Sequence, residues 1–144
     1  MSIYDPKQVV LLLNDYQITN FGDKGTPIQF TPGAPAGGWT MGLDGKGTFV
    51  TDPDKSGTLV IQLHQHCEDN AWLSQQKALQ EHSIKSFVPF QLMIRDLLNE
   101  DLIQARKGYF TDLPPYVRGG SAQMTPWTIV FESHTSRLES GFGN

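Results

Sequence analysis

The sequence predicts a mainly β protein, an antiparallel β-sandwich or barrel with one flanking α-helix. Three observations carry that expectation. Glycine (14) and proline (9) are plentiful in 144 residues, which breaks a chain into strands and turns rather than a helix bundle. Several runs alternate apolar and polar residues with the period of a strand. One segment alone carries apolar residues at helical spacing. A chain of this length is expected to form one domain, 1–144.

Taken in order, residues 8–14 (QVVLLLN) are β-branched and aliphatic and end at Asn14-Asp15, which reads as a strand. Residues 16–21 (YQITNF) continue as a short extended piece. Residues 22–40 are rich in glycine and proline, which predicts an extended arm or long loop. Residues 41–63 are expected to form a β-hairpin, with GTFVT and GTLVIQL as strands and the proline-bearing DPDKSG as the turn. Asp44-Gly45 is a further turn dipeptide. In the second of those strands Leu59, Ile61 and Leu63 alternate onto one face.

Residues 68–82 (EDNAWLSQQKALQEH) are the helix, with Trp72, Leu73, Gln76 and Leu79 at i, i+3/i+4 spacing and Asp69 or Asn70 as N-cap. SFVPFQLMIR over 86–95 reads as a strand with Pro89 near its start or at an edge. LLNEDL is a turn, and IQARKGYF a further strand. TDLPPYVRGGSAQ is irregular. Residues 125–138 form the last strand, with Trp127, Ile129 and Phe131 on one face, and SGFGN is a loose tail. There is no internal repeat.

The net charge is -4 and the pI about 5.4, so the surface offers no electrostatic grip on a phosphate backbone. One cysteine makes no intramolecular disulfide. MSIYDPKQ lacks a basic stretch followed by an apolar run, so no signal peptide is expected. The longest apolar run, Val9 to Leu13, is too short to span a bilayer, and a soluble protein made in the cytoplasm is expected.

The stretch LHQHC, 63–67, holds two histidines and the only cysteine. On a strand His64 and His66 share a face and Cys67 points away. Two histidines could chelate zinc, but zinc needs a third ligand and usually a fourth. Glu68, Asp69, His82 or His134 could supply one, yet no HExxH or paired CxxC spacing does. The favoured reading is a polar strand end before a helix cap. Cys67 as a nucleophile needs a positioned base, and its neighbouring histidine points to the other side. GLDGKG is a turn rather than a phosphate loop, and Asp52 with Asp54 lacks the twelve-residue calcium pattern. Trp39, Trp72 and Trp127 are expected as core or interface anchors. No metal, cofactor or catalytic residue is expected, and long arms with strand edges suit an assembling protein.

The sequence also resembles a known family. Tyr4-Asp5-Pro6-Lys7-Gln8-Val9, then Ile18-Thr19-Asn20-Phe21-Gly22-Asp23 with Gly25, are similar to the start of the tail tube proteins of contractile-tailed bacteriophages. Gly42-Leu43-Asp44-Gly45 followed by Asp54 to Leu63 resembles that family's hairpin, and Glu68-Asp69-Asn70-Ala71-Trp72-Leu73 its helix start. A late Trp127 strand and Gly141-Phe142-Gly143-Asn144 fit as well. The strand before the helix departs from the family's Ser/Pro pattern, carrying His64-Gln65-His66-Cys67 instead. The resemblance implies a structural virion protein whose hexameric rings, lined by an inner β-barrel, stack into a tube inside a contractile sheath. DNA would pass through the lumen without sequence-specific binding, past acidic groups that repel phosphate. Partners would be further copies, the sheath, and baseplate and tail-terminator proteins. Asp44, Lys46, Asp52, Asp54 and Lys55 are the candidate inter-ring and inter-subunit contacts. A tube protein of a contractile injection or type VI secretion system is the alternative in the same class. A small metal-dependent enzyme or a monomeric binding module are the alternatives outside it.

Overall fold

The computed structural model describes residues 9–19, 21, 27–34, 36–65, 67–97, 100–116 and 124–138. The expectations on Tyr4–Gln8, Asn20, Gly22–Gly25, His66 and the Gly141–Asn144 tail lie outside them. The chain order is β1 (Val9–Leu13), β2 (Tyr16–Ile18), β3 (Ile28–Pro32), β4 (Gly37–Met41), β5 (Gly47–Thr51), β6 (Gly57–His64), α1 (Glu68–His82), β7 (Phe90–Asp96), β8 (Leu102–Asp112) and β9 (Met124–Arg137). Seven strands form one antiparallel sheet in the order β2-β1-β7-β8-β9-β6-β3, and β4 pairs with β5 apart from it.

Alternation fixes the inner face of the large sheet. Leu59, Ile61 and Leu63 on β6, Phe90 and Leu92 on β7, and Trp127, Ile129 and Phe131 on β9 are all buried. Each such side chain contributes about 1.5–3 kcal/mol through burial. The sheet is rolled around this core. Phe21, three residues after β2, makes an antiparallel bridge to Leu63 of β6. In a flat sheet β2 and β6 would stand five strand spacings apart, about 24 Å. Three residues reach only about 10 Å, so the two ends of the sheet curve toward each other.

Local chemistry sets the bends. Asn14 and Asp15 both have positive φ (50° and 73°), the combination a two-residue hairpin turn requires between β1 and β2. In β8 an extra residue shifts the pairing against β7, and Lys107 sits there with φ 58°. The bulge lets Ala105 and Phe110, of opposite parity, both face the core. Beyond the start of β7, the Gln80 side chain of α1 takes a strand's place. Its Nε2 donates to the Phe110 carbonyl (3.0 Å), and its Oε1 accepts the Phe110 N–H (2.9 Å).

The region 22–40 and the 41–63 hairpin need correction. The described part of 22–40 is not a free arm, because it supplies β3 and β4. β5 does not pair with β6 as a 41–63 hairpin requires. β5 pairs with β4, and β6 pairs with β3 and β9. The two pairings are halves of one long hairpin: Pro32 lies opposite Gly57, and Gly37 opposite Thr51. The turn is at its tip, where the Gly42 N–H donates to the Lys46 carbonyl and Gly45 has φ 84°. DPDKSG is therefore a joint within the hairpin's second arm. Its aspartates and proline give the same local signal as a turn.

α1 begins and ends where its spacing places it, but its cap and exposed face differ. Cys67 is the N-cap and makes no side-chain capping bond. Asp69 and Asn70 lie inside the first turn and bond outward to the sheet. Leu79 points to solvent, while Leu73 and Asp69 are buried.

Candidate functional site

The LHQHC stretch is a junction. The Asn70 side chain donates to the carbonyls of His64 (2.8 Å) and Gln65 (3.0 Å), holding the end of β6. Its oxygen accepts the Trp127 indole N–H of β9 (2.9 Å). Asp69, 2% exposed, accepts from the Tyr16 hydroxyl (2.8 Å) and the Thr19 N–H (2.9 Å), fixing β2 to the helix. Tyr16 lies flat on Trp72, with centroids 4.2 Å apart. The bond to Asp69, with burial and that carboxylate's charge, pushes the Tyr16 hydroxyl up to about 12. Among the described residues no three His, Cys, Asp or Glu side chains come together to hold a metal. His64 is exposed at the strand end, and Cys67 packs half-buried against the core. His134, the more distant ligand candidate, instead places Nδ1 2.7 Å from the Lys55 carbonyl, with its ring edge-on to Phe30.

The distal half of the hairpin, β4 and β5, projects from the body. Every residue of β5 and all but the first of β4 are exposed. Residues directly opposite share a face, so Trp39 with Phe49 and Met41 with Gly47 form one apolar side. Trp39 and Phe49 pack edge to face, with centroids 5.2 Å apart. A Cβ on Gly47 would stand 2.7 Å from the Met41 sulfur and 3.0 Å from the Trp39 ring, so glycine is what lets those side chains lie on the strand. Trp39 is still 69% exposed, Met41 62% and Phe49 49%. Of the three tryptophans only Trp39 lacks a cover within the described chain; Trp127 is core and Trp72 lies half-buried on Tyr16.

The five polar contact candidates lie on this ribbon and its joint. Asp44 accepts from the Lys46 N–H (3.1 Å), Asp52 from the Asp54 N–H (2.9 Å) and Asp54 from the Ser56 N–H (2.9 Å). One oxygen of each aspartate is therefore engaged in a local turn. Hydrogen bonds from the Ser56 side chain and its N–H hold Asp54 below the usual carboxylate range. Across the joint the Gly33 N–H donates to the Ser56 carbonyl, and the Asp52 N–H to the Ala36 carbonyl, both at 2.9 Å. Lys46, Asp44, Asp54 and Lys55 are exposed, and Asp52 is half-buried.

Beside the joint, the outer face of the sheet forms a groove of about 580 Å³. Its floor is a row across four strands: Leu12 opposite Met93, Met93 opposite Gln104, and Gln104 opposite Thr135. Asn14, Gln91, Arg106 and Ser133 line one side, with Lys55 at the joint. The next row outward pairs Val10 with Arg95 and Leu102 with Arg137. Arg95, Arg106 and Arg137 lie in these rows, and Asp15 lines the groove together with Lys55. Sequence reasoning missed it, because its residues come from four separated segments.

The sequence matches no protein-family model, and no curated protein matches it. The fold is similar to a chain of the anti-feeding prophage cap, described as that particle's tube-terminating cap and solved by cryo-electron microscopy. The TM-score is 0.63 at 12% identity, over 96% of this chain and 93% of that one.

Proposed function

We propose that this chain is a structural, non-enzymatic subunit of a contractile-tail-like particle, a tail tube protein that builds hexameric rings. The observation that carries the reading is the projecting ribbon, whose apolar side nothing in the described chain covers. A two-stranded ribbon is marginal alone in water, so a neighbour that covers it stabilises it. The fold likeness to a tube-terminating cap supports the same class of assembly. Rings stack into a hollow tube in the virion tail, DNA passes through the lumen, and the sheath, baseplate and terminator proteins are the other partners. Asp44, Lys46, Asp52, Asp54 and Lys55 contact neighbouring subunits or rings.

A second reading is favoured by the cap likeness itself: a ring that terminates a tube, in a phage tail or an injection system, and does not stack. Negative-stain electron microscopy of the purified chain, with and without chelator, separates the two. Stacked tubes with a central channel, unchanged by chelator, support the tube subunit. Single rings at every concentration support the terminator. Small uniform particles throughout would overturn both.

A further inference from the structure

We propose that residues 52–56 form a strap that limits the swing of the ribbon, and that His134 is the positioning residue that ties the strap to the body. The inference concerns the single chain, so its test stands apart from the assembly reading.

The strap is closed upon itself. The Asp54 N–H donates to Asp52 and the Ser56 N–H to Asp54, both at 2.9 Å, and Pro53 has no N–H to place. Its ends bond to the other arm of the hairpin, the Ser56 carbonyl accepting from Gly33 and the Asp52 N–H donating to Ala36. Burial does not seat it, because Pro53, Asp54 and Lys55 are exposed. Open space flanks it as well, since Lys55 lines three grooves, of about 580, 540 and 760 Å³. Among the described residues, its one hydrogen bond to the body outside the hairpin joins the Lys55 carbonyl to His134 Nδ1, at 2.7 Å.

The ring is set for that contact. His134 lies on β9 opposite Ala105, and its ring packs edge-on to Phe30 with centroids 5.1 Å apart. A Cβ on Gly57 would stand 2.3 Å from the Phe30 ring and 3.2 Å from His134 Nδ1, so glycine at the start of β6 lets both rings close over it. A carbonyl oxygen has no proton to give, so Nδ1 carries the hydrogen. The neutral ring is therefore the Nδ1–H tautomer, with Nε2 left as the acceptor. A proton added at Nε2 leaves the Nδ1–H bond in place, so the tie holds on both sides of the histidine titration. The charged groups around the ring are Asp15, Lys55 and Arg106 in one groove, and Asp54 and Lys55 in another. The Nδ1 proton goes to a backbone carbonyl rather than to any of these side chains.

The test uses the dilute chain, with Cys67→Ser to remove the native thiol and spin labels placed at Leu43 on the ribbon tip and Arg95 on β7. Phenylalanine keeps a ring against Phe30 and loses the donor. Asparagine keeps an N–H donor two bonds from Cβ, where Nδ1 stands. His134→Phe is expected to broaden the distance distribution about twofold and to speed hydrogen exchange at Gly33 and Asp52 about threefold, as the loss of one exposed hydrogen bond would. His134→Asn is expected to restore both. Nitrogen NMR of the otherwise unmodified chain is expected to show the Nδ1–H tautomer at His134, and the distance distribution is expected to hold from about pH 8 to about pH 5. The tautomer needs no substitution at His134, so it decides the matter even if His134→Phe does not fold. An Nε2–H tautomer overturns the proposal. So does a His134→Phe chain as narrow as the unmodified one, a His134→Asn chain as broad as His134→Phe, or broadening as the pH falls to 5.

Discussion

The two halves of the long hairpin are built from the same two arms, one residue apart in register, and differ in almost everything else. In the body half, β6 buries every second residue, with β9 on one side and β3 on the other. In the ribbon half, the same two arms carry tryptophan, methionine, phenylalanine and valine and bury almost none of them. Between the halves the pairing shifts by one residue, from Pro32 opposite Gly57 to Gly37 opposite Thr51, and Asp52 and Asp54 accept the N–H groups of Asp54 and Ser56 locally. A bulged joint of this kind stops the ladder and lets one hairpin serve two surfaces. The body half is stabilised within the chain, and the ribbon half is left for something outside it.

The sharpest way to break that contrast is to remove one large side chain from each half. Ile61→Ala, at a fully buried site on β6, is expected to lower monomer stability by about 2–5 kcal/mol, read by urea denaturation. Phe49→Ala is expected to change monomer stability by less than about 0.5 kcal/mol, while weakening self-association. If Phe49→Ala destabilises the monomer as much as Ile61→Ala does, the ribbon has cover within its own chain and the contrast is wrong.

A middle-sized effect is expected where α1 fastens the rolled sheet. Asp69→Ala removes the acceptor for Tyr16 and Thr19 and is expected to cost about 1–3 kcal/mol. Tyr16 gives this latch a pH signature. The folded chain holds its proton up to about 12, against 10.0 for an ordinary tyrosine. The stabilisation is therefore complete below pH 10 and is lost as pH rises through 12. Absorbance titration at alkaline pH is expected to show one late tyrosine that Tyr16→Phe removes. A tyrosine titration unchanged in Tyr16→Phe would count against the latch.

What the sequence showed follows the same division. The period of Leu59, Ile61 and Leu63 marked β6, and Trp127, Ile129 and Phe131 marked β9, because a buried face leaves an alternating record. The ribbon left no such record, since neither of its faces is buried by its own chain. From sequence, Gly37 to Thr40 fall in an extended arm or long loop and Met41 in a hairpin, and the joint's Asp-Pro-Asp reads as the turn. The sequence marks Trp39 and Trp127 alike as anchors, and only the structure separates them by exposure. Asp69 and Asn70 carried the right local signal, but their partners on β2, β6 and β9 lie far off in sequence. The groove had no sequence signal, because its floor row exists only once four strands are in register.

A smaller effect is expected from Gln80, whose amide completes β8 where β7 has not begun. Gln80→Ala leaves the Phe110 N–H and carbonyl to water and is expected to cost about 0.5–1.5 kcal/mol. Hydrogen exchange at Phe110 is the readout, and exchange unchanged from the unmodified chain would show that the amide does not act as a strand substitute.

The smallest effect tests whether the joint is a built bend or a solvated loop. Asparagine keeps the side-chain oxygen that accepts the Ser56 N–H, and alanine removes it. Asp54→Asn is therefore expected to leave the ribbon's direction unchanged, and Asp54→Ala to widen it, read as a spin-label distance distribution between the ribbon tip and β7. Acid gives the same comparison without mutation. Ser56 holds the Asp54 carboxylate below its ordinary value, so its contribution is present above that value and is lost as pH falls through the lowered one. A protonated carboxyl still offers its carbonyl oxygen to the Ser56 N–H, as asparagine does, so the distance distributions of the unmodified chain and of Asp54→Asn are expected to stay alike through that acid range, both narrower than that of Asp54→Ala. If Asp54→Ala is as narrow as they are, Asp54 does not set the bend, and the ribbon's direction comes from the Gly33–Ser56 and Asp52–Ala36 backbone bonds instead.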